Sequence, residues 1–232
     1  MQKLLRSMLV ASLSVGALTA CSDDDEPTAP VAQAAVRVVH ASPDAPNVDV
    51  LVDEATALTN VPFIAASGYL DVPAGARRFR VRAAGTTTTV IDVTPTLTTG
   101  TSYTVLATGL LAGIQPLLLT DDRTAPAPGQ VKLRVVHAAP AAANVDVYVT
   151  APGADITTAT PTLTNVAFRG FSSYLSVPAG EYRVRVVGAG TKTPVAIDAT
   201  LTFAAGQVRT IVARDNVGGG APLNAIVLND LN

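Results

Sequence analysis

From residue 35 onward, apolar and polar positions mostly alternate with a period of two, and turn residues interrupt the alternation every ~8–12 residues. Val36, Val38 and His40 fall on one side of a predicted strand, with Arg37 and Val39 on the other. The SPDAP segment at 42–46 is turn chemistry, and Val48, Val50 and Val52 alternate with Asp49 and Leu51 in a second strand. Short strands are predicted over 58–64 and 68–72. A tight Pro-Ala-Gly turn at 73–75 leads into 78–82, with Phe79 and Val81 inward and the arginines outward. Further strands are predicted over 88–93, 102–108 and 115–120, with Gly100 at the turn before 102. About seven short strands at this spacing predict an antiparallel β-sandwich rather than a parallel α/β sheet. No segment beyond the first twenty residues sustains a 3.6-residue period.

The chain writes this pattern twice. VRVVHASPDAPNVDVLV at 36–52 returns as LRVVHAAPAAANVDVYV at 133–149. LTNV recurs at 58–61 and 163–166, YLDVPAG at 69–75 becomes YLSVPAG at 174–180, and Arg183 and Arg185 match Arg78 and Arg80. The copies are offset by 97 residues at His40 and His137 but by 105 at Gly75 and Gly180, so eight residues are inserted within 150–162. The fold class is therefore all-β: sandwich domains over 35–123 and 131–232, joined by a semi-rigid Pro-rich linker over 124–130. Each copy has enough residues for its own core, and the two are expected to fold independently. A Gly-Gly-Gly run at 218–220 predicts a flexible loop before the last strand.

The LTTGTSY segment at 97–103 resembles the tyrosine corner of immunoglobulin-like sandwiches, in which the phenol closes a turn back onto the backbone. The alternative is a half-buried tyrosine at a strand start, since Arg209 occupies the matching place in the second copy.

Composition and charge narrow the setting. Among 232 residues the net charge is −2, which makes nucleic acid or anionic lipid a poor default partner. Charged residues are only 15%, so Thr and Ser must cover much of the exterior, as in exported β proteins. At the start, Lys3 and Arg6 precede an apolar stretch at 8–17 that is too short to span a bilayer. LTAC at 18–21 then resembles the lipobox of bacterial lipoproteins. That resemblance implies a signal peptide over 1–20 and a diacylglyceryl group on Cys21, with two or three acyl chains giving stable anchoring. Cys21 is the only cysteine, so no internal disulfide is expected. Residues 21–34, with an SDDDE run and then Pro and Ala, read as a solvated tether rather than a calcium site, because no spaced pattern shapes one. The expected location is an exported protein anchored to a bacterial membrane, with the outer membrane or cell surface both open.

The phrases RVVHxxP…NVDVYV, LTNVxF and YLxVPAGxYxVRV together resemble the domain of unknown function (DUF) 4397 family, across both copies. Its members are extracytoplasmic bacterial domains, often in tandem and often behind a lipoprotein signal. The resemblance implies an immunoglobulin-like or transthyretin-like sandwich and carries no activity with it.

Candidate chemistry is sparse. A nucleophilic site would need a nucleophile, a base and an orienting group that converge. Ser42, His40 and Asp49 are the nearest set, but the second copy has Ala139 and Ala141 where the first has Ser42 and Asp44. A transition-metal site drawn from His40, Asp44 and Asp49 would likewise shrink to His137 and Asp146. His40 with Asp49, and His137 with Asp146, are therefore expected to be structural buttresses tying strand ends together. Asp121 and Asp122 are candidates for calcium at the junction or simply close the last strand of the first copy. Arg37, Arg78, Arg80 and Arg82 are expected to share an outward face, suited to a polyanion or to plain solvation. The reading is a lipid-anchored, non-catalytic binding or spacer module with no cofactor and no metal. Its partners would be the membrane, through the lipid, and an envelope polysaccharide or protein, not nucleic acid. The alternatives are a polyanion- or carbohydrate-binding surface protein and a metal-assisted hydrolase around His40.

Overall fold

The structure is a computed structural model that describes residues 31–231. Cys21, the expected signal peptide and residues 21–30 of the expected tether lie outside the described residues. The first copy comprises β1 (Gln33–Ala41), β2 (Val48–Val52), β3 (Ala55–Val61), β4 (Leu70–Pro73), β5 (Gly75–Ala76), β6 (Phe79–Ala83), β7 (Thr89–Val93), β8 (Thr96–Leu97), β9 (Ser102–Thr108) and β10 (Gln115–Asp121). The second comprises β11 (Gln130–His137), β12 (Val145–Thr150), β13 (Leu163–Val166), β14 (Leu175–Pro178), β15 (Gly180–Gly188), β16 (Val195–Phe203), β17 (Val208–Arg214) and β18 (Asn224–Leu231). The described residues contain no α-helix, only a short 3₁₀ turn at Leu111–Gly113.

Each copy is a two-sheet sandwich. In the first, an inner sheet ordered β10-β9-β1-β4 faces an outer sheet ordered β3-β2-β6-β7, with β5-β8 as a separate short ladder. In the second, the inner sheet is β14-β11-β17-β18 and the outer is β13-β12-β15-β16. All neighbours run antiparallel except β1 with β9 and β11 with β17, which run parallel. Alternation accounts for the outer strands: Val48 and Val50 on β2 and Val81 on β6 are buried inward, while Arg80 and Arg82 are only half-buried. The β2–β3 hairpin turns through two residues, Asp53 and Glu54, both at positive φ (46° and 72°). The Asp53 carboxylate holds this turn by accepting the Arg78 backbone N–H at 2.9 Å.

The inner strands do not follow simple alternation, because they are buried on both faces. Val36 and Val38 pack into their own sandwich, while Val39 and Ala41 face the other copy. There they join Leu106 and Leu119 against Val136, Ala138, Val212 and Leu228, in one apolar cluster drawn from both copies. This corrects the expectation that the copies are separate bodies joined by a linker. Each has core residues of its own, but the described residues 31–231 form one compact unit with a third, shared core. The sequence carried the signal in the adjacent valines of RVVH, since a strand buried on both faces loses its polar side.

Candidate functional site

The joint between the inner sheets holds the most organised polar chemistry among the described residues. Arg37 on β1 reaches across to Asp230 on β18, and Arg134 on β11 reaches across to Asp121 on β10, each at 2.5 Å. These four side chains are almost entirely buried. Each carboxylate also receives two hydroxyls from its own copy. Asp121 Oδ2 accepts from Tyr69 (2.8 Å) and Thr104 (2.6 Å), and Asp230 Oδ2 accepts from Tyr174 (2.8 Å) and Thr210 (2.6 Å). Each guanidinium then bonds the threonine beside it and a backbone carbonyl of the opposite copy: Asn229 O for Arg37 and Thr120 O for Arg134. Both guanidinium carbons also lie over a tyrosine ring of their own copy, Tyr69 at 4.8 Å and Tyr174 at 4.6 Å. Burial, then the neighbouring aspartate, pushes both phenols well above their ordinary pKa, so they are neutral donors at physiological pH. The two halves of the network repeat one another across the joint, as in an isologous interface between identical partners. A buried ion pair is tolerable only when every charge and lone pair finds a partner, and this one is well supplied.

Further contacts cross the same joint. Arg123 stacks on Tyr69 at 4.3 Å and donates to Asp230 O at 2.9 Å. Arg169 donates to Pro116 O and to the Gln115 side chain, and Gly218 N donates to Pro43 O.

Asp121 and Asp122, expected as a strand end or a calcium pair, turn to different partners. Asp121 belongs to the network. Asp122 accepts Lys132 Nζ at 2.6 Å and Thr124 Oγ1 at 2.6 Å, and these bonds hold its carboxyl down to about 2. Among the described residues, no three His, Cys, Asp or Glu side chains converge as a metal would require.

The expected arginine stripe is not one face. Arg37 must be removed from it, because it lies on the inner sheet and is 3% exposed. Arg78, Arg80 and Arg82 do share the outer sheet, but acids stand among them. Arg78 is paired with Asp92 and Glu54, Arg80 with Glu54, and Arg82 lies across from Asp49 in the β2–β6 register. Such a face balances its charge locally and offers a polyanion little net attraction.

The histidine turns are built alike. His40 is fully buried; its Nδ1 accepts the Ser42 N–H (3.4 Å) and its Nε2–H donates to Pro46 O (3.0 Å). His137 does the same with the Ala139 N–H (3.3 Å) and Ala143 O (3.1 Å). A carbonyl only accepts and an amide only donates, so both rings are neutral with the proton on Nε2. Phe63 and Phe168 pack edge-on at 6.1 Å. Asp49 and Asp146 do not meet these rings. Asp49 accepts the Asn60 and Gly85 N–H groups, and Asp146 accepts those of Asn165 and Gly190. Asn60 and Asn165 both sit at φ 53°, so each aspartate clamps a left-handed residue in the neighbouring hairpin. The Ser42 hydroxyl donates to Gly109 O at 2.6 Å, away from the imidazole. His40, Ser42 and Asp49 thus serve three separate backbone sites.

Nothing local in the sequence marks Asp230, Tyr69, Tyr174, Thr104, Thr210 and Arg134 as parts of one assembly. The available signal was recurrence: an arginine, a tyrosine and an aspartate return at matching places in both copies, though none lies close to the others along the chain.

The family described as "Domain of unknown function (DUF4397)" matches this chain in two segments, residues 34–148 and 149–232. The chain belongs to the DUF4397 family. The division between the segments falls inside β12, whereas the sheets divide the two DUF4397 copies at the connection between Asp121 and Gln130. No curated protein matches. Among solved structures, the chain is similar to the Bacillus anthracis TIE protein at 12% identity and a TM-score of 0.26. That match covers 80% of this chain, which spans only 34% of the TIE chain. It is also similar to a family CBM26 module of Eubacterium rectale Amy13K, solved with maltoheptaose, at 9% identity and a TM-score of 0.27, covering 84% of this chain and 96% of that one.

Proposed function

We propose that this DUF4397 chain is a non-catalytic binding or spacer module of the cell envelope, exported and anchored through a lipid on Cys21, whose two sandwiches act as a single rigid piece. The observation that carries this reading is the buried joint, where two arginines and two aspartates cross between the copies inside a shared apolar core. A bead-on-string pair would gain nothing from burying four charges. A module that must hold a fixed length does gain, because the charges fix the register of one sheet on the other. The direction of β1 also suits a spacer. It runs from Gln33 to Ala41, so the turns at 42–46 and 109–114 lie at the end away from residue 33, where a tether would join. The separate duties of Ser42, His40 and Asp49 support a non-catalytic role.

Cell fractionation and intact mass of the mature N-terminus test the anchoring. The expected result is a diacylglyceryl-modified Cys21 in the membrane fraction and release of Cys21→Ser from it. A free thiol on the mature chain, or unchanged membrane retention of the variant, overturns the anchor. Two separate melting transitions in calorimetry would overturn the rigid pair.

A further inference from the structure

The two sandwiches are packed to different standards. The interior of the second is one continuous cluster running from Val131 and Leu133 to Phe203 and Ile211. The interior of the first is split into a cluster around Val36, Phe79 and Tyr103 and another around Val38, Val50 and Ile91. At the seam lies a void of about 20 Å³, reached by Val38, Val50 and Ile91 of one cluster and Phe79 and Val105 of the other. Phe79, Val93, Val105 and Pro116 also line a cleft of about 260 Å³ that continues to the surface past Pro95 and Leu118. Thr94 is the one polar side chain in its lining. The mouth lies between β7 and β10, the free edges of the outer and inner sheets on one side of the sandwich. The cleft is open to solvent at its mouth, and an aliphatic chain laid against its apolar walls would take apolar surface out of water, the general driving force for binding an apolar guest.

The second copy shows what chemistry fits there. Pairing registers place Pro95 of the first copy at the position of Leu201 in the second, since Ala76–Thr96 and Gly75–Leu97 correspond to Glu181–Thr202 and Gly180–Phe203. Leu201 packs against the continuous core of its sandwich. Pro95, a smaller side chain than leucine, lines the cleft instead. The chain thus fills this place with its own aliphatic side chain in one copy and leaves it unfilled in the other.

We propose that the cleft of the first copy is a binding site for an aliphatic chain, such as that of a fatty alcohol or fatty acid. The chain enters end-on between β7 and β10, and its polar head stays at the mouth beside Thr94. The site does not depend on the anchored-spacer role and would stand or fall apart from it.

The test is a methyl NMR titration of the full chain carrying Cys21→Ser, so that no acyl group of its own competes. One arm adds 1-decanol and a second adds phosphatidylcholine vesicles, to separate a free amphiphile from a bilayer lipid. The expected result is saturable shifts at the Val93, Val105 and Leu118 methyls in at least one arm, with Leu201 and Ile211 unmoved. Pro95→Leu should fill the cleft and weaken binding at least tenfold. Leu118→Gln, at a half-exposed mouth position, should weaken it similarly, and it serves if Pro95→Leu does not fold. No shift in either arm, shifts spread equally over both copies, or undiminished binding in the variants overturns the site.

Discussion

On the outer face of the first copy, Leu51 is 5% exposed and pairs with Arg80 across β2 and β6, while Arg80 and Arg82 are half-buried and Glu54 pairs with Arg80. On the same face of the second copy, Tyr148 replaces Leu51 and is 1% exposed, because the inserted segment 150–162 folds over it. Ile156 and Ala159 cover the Tyr148 ring, Lys192 sits 4.6 Å above it, and Arg185 is drawn in to donate to Ala154 O. On the inner faces the two copies are nearly interchangeable: arginine, threonine, tyrosine and aspartate take the same roles on both sides of the joint. The contrast separates two kinds of constraint. A residue at the joint must suit its own sheet and the facing sheet together, so it has few alternatives. A residue on an outer face answers only to solvent, its own sheet or a loop, and around Leu51 and Tyr148 the copies have diverged, although the Arg78–Asp92 pair returns as Arg183–Asp198.

The sharpest way to break the comparison is at the joint. Asp230→Ala strands the Arg37 guanidinium in a buried site and leaves the Thr210 and Tyr174 hydroxyls without their acceptor. The expected loss is about 3–5 kcal/mol of unfolding free energy in urea melts, and Asp121→Ala should match it from the other side. Asp92→Ala, which breaks an exposed pair with Arg78 on an outer face, should leave the midpoint essentially unchanged. Equal effects from the inner and outer aspartates would erase the distinction.

The roof on the second copy comes next. Ile156 is 9% exposed and belongs to a cluster of only three buried residues, so Ile156→Ala should cost about 2 kcal/mol, the low end for a buried aliphatic truncation. Tyr148 fluorescence should become accessible to a neutral quencher. If stability and quenching both stay as they were, the segment merely lies near the sheet and does not seal it.

The histidine turns are where the copies agree away from the joint, and pH is the probe. Burial lowers the pKa of His40 and His137 below the ordinary 6.5, only partly offset by the Pro46 and Ala143 carbonyls and, for His137, by Asp215. Just below pH 6.5 the unfolded chain therefore binds more protons than the folded one, so stability falls as pH drops. Stability from the neutral rings is complete above pH 6.5 and is lost as pH falls from there toward the lowered folded values. His40→Ala and His137→Ala should each remove about half of that slope, and each should cost about 1.5 kcal/mol at neutral pH by orphaning a buried carbonyl and amide. A slope that survives in the double variant would assign it to other groups.

Much of the architecture was legible in the chain. The strand over 48–52 is legible to the residue because alternation and flanking turns agree there, and the one over 102–108 is legible from the Gly100 turn before it and its apolar, β-branched run, although it does not alternate. The tandem repeat was plain from its phrases. The joint was not legible, for a physical reason: Arg37 looks outward on a strand, and nothing local distinguishes water from a second sheet on that side. Asp230 is 193 residues from Arg37, and proximity of that range is set by docking, not by pattern. The role of His40 was legible as burial, but its partner was not. The imidazole takes the turn carbonyl of Pro46, while Asp49, one side chain further round, serves the neighbouring hairpin.

The smallest expected effect lies at the corner before β9, where the copies differ by design of the turn rather than by covering. Tyr103 Oη accepts the Thr98 N–H at 3.1 Å and so closes the turn back onto the backbone. At the matching place Arg209 instead donates to Leu231 O at 2.8 Å, which ties that corner to the last strand. Tyr103→Phe keeps the buried ring and removes only the acceptor. Thr98 is exposed, so water can replace the phenol, and the loss should be no more than about 1 kcal/mol. The local readout is more telling than the melt: amide exchange at Thr98 should quicken severalfold, while the amides around Arg209 hold steady. If Thr98 exchange is unaltered, the phenol does not close the corner and Tyr103 contributes through its ring alone.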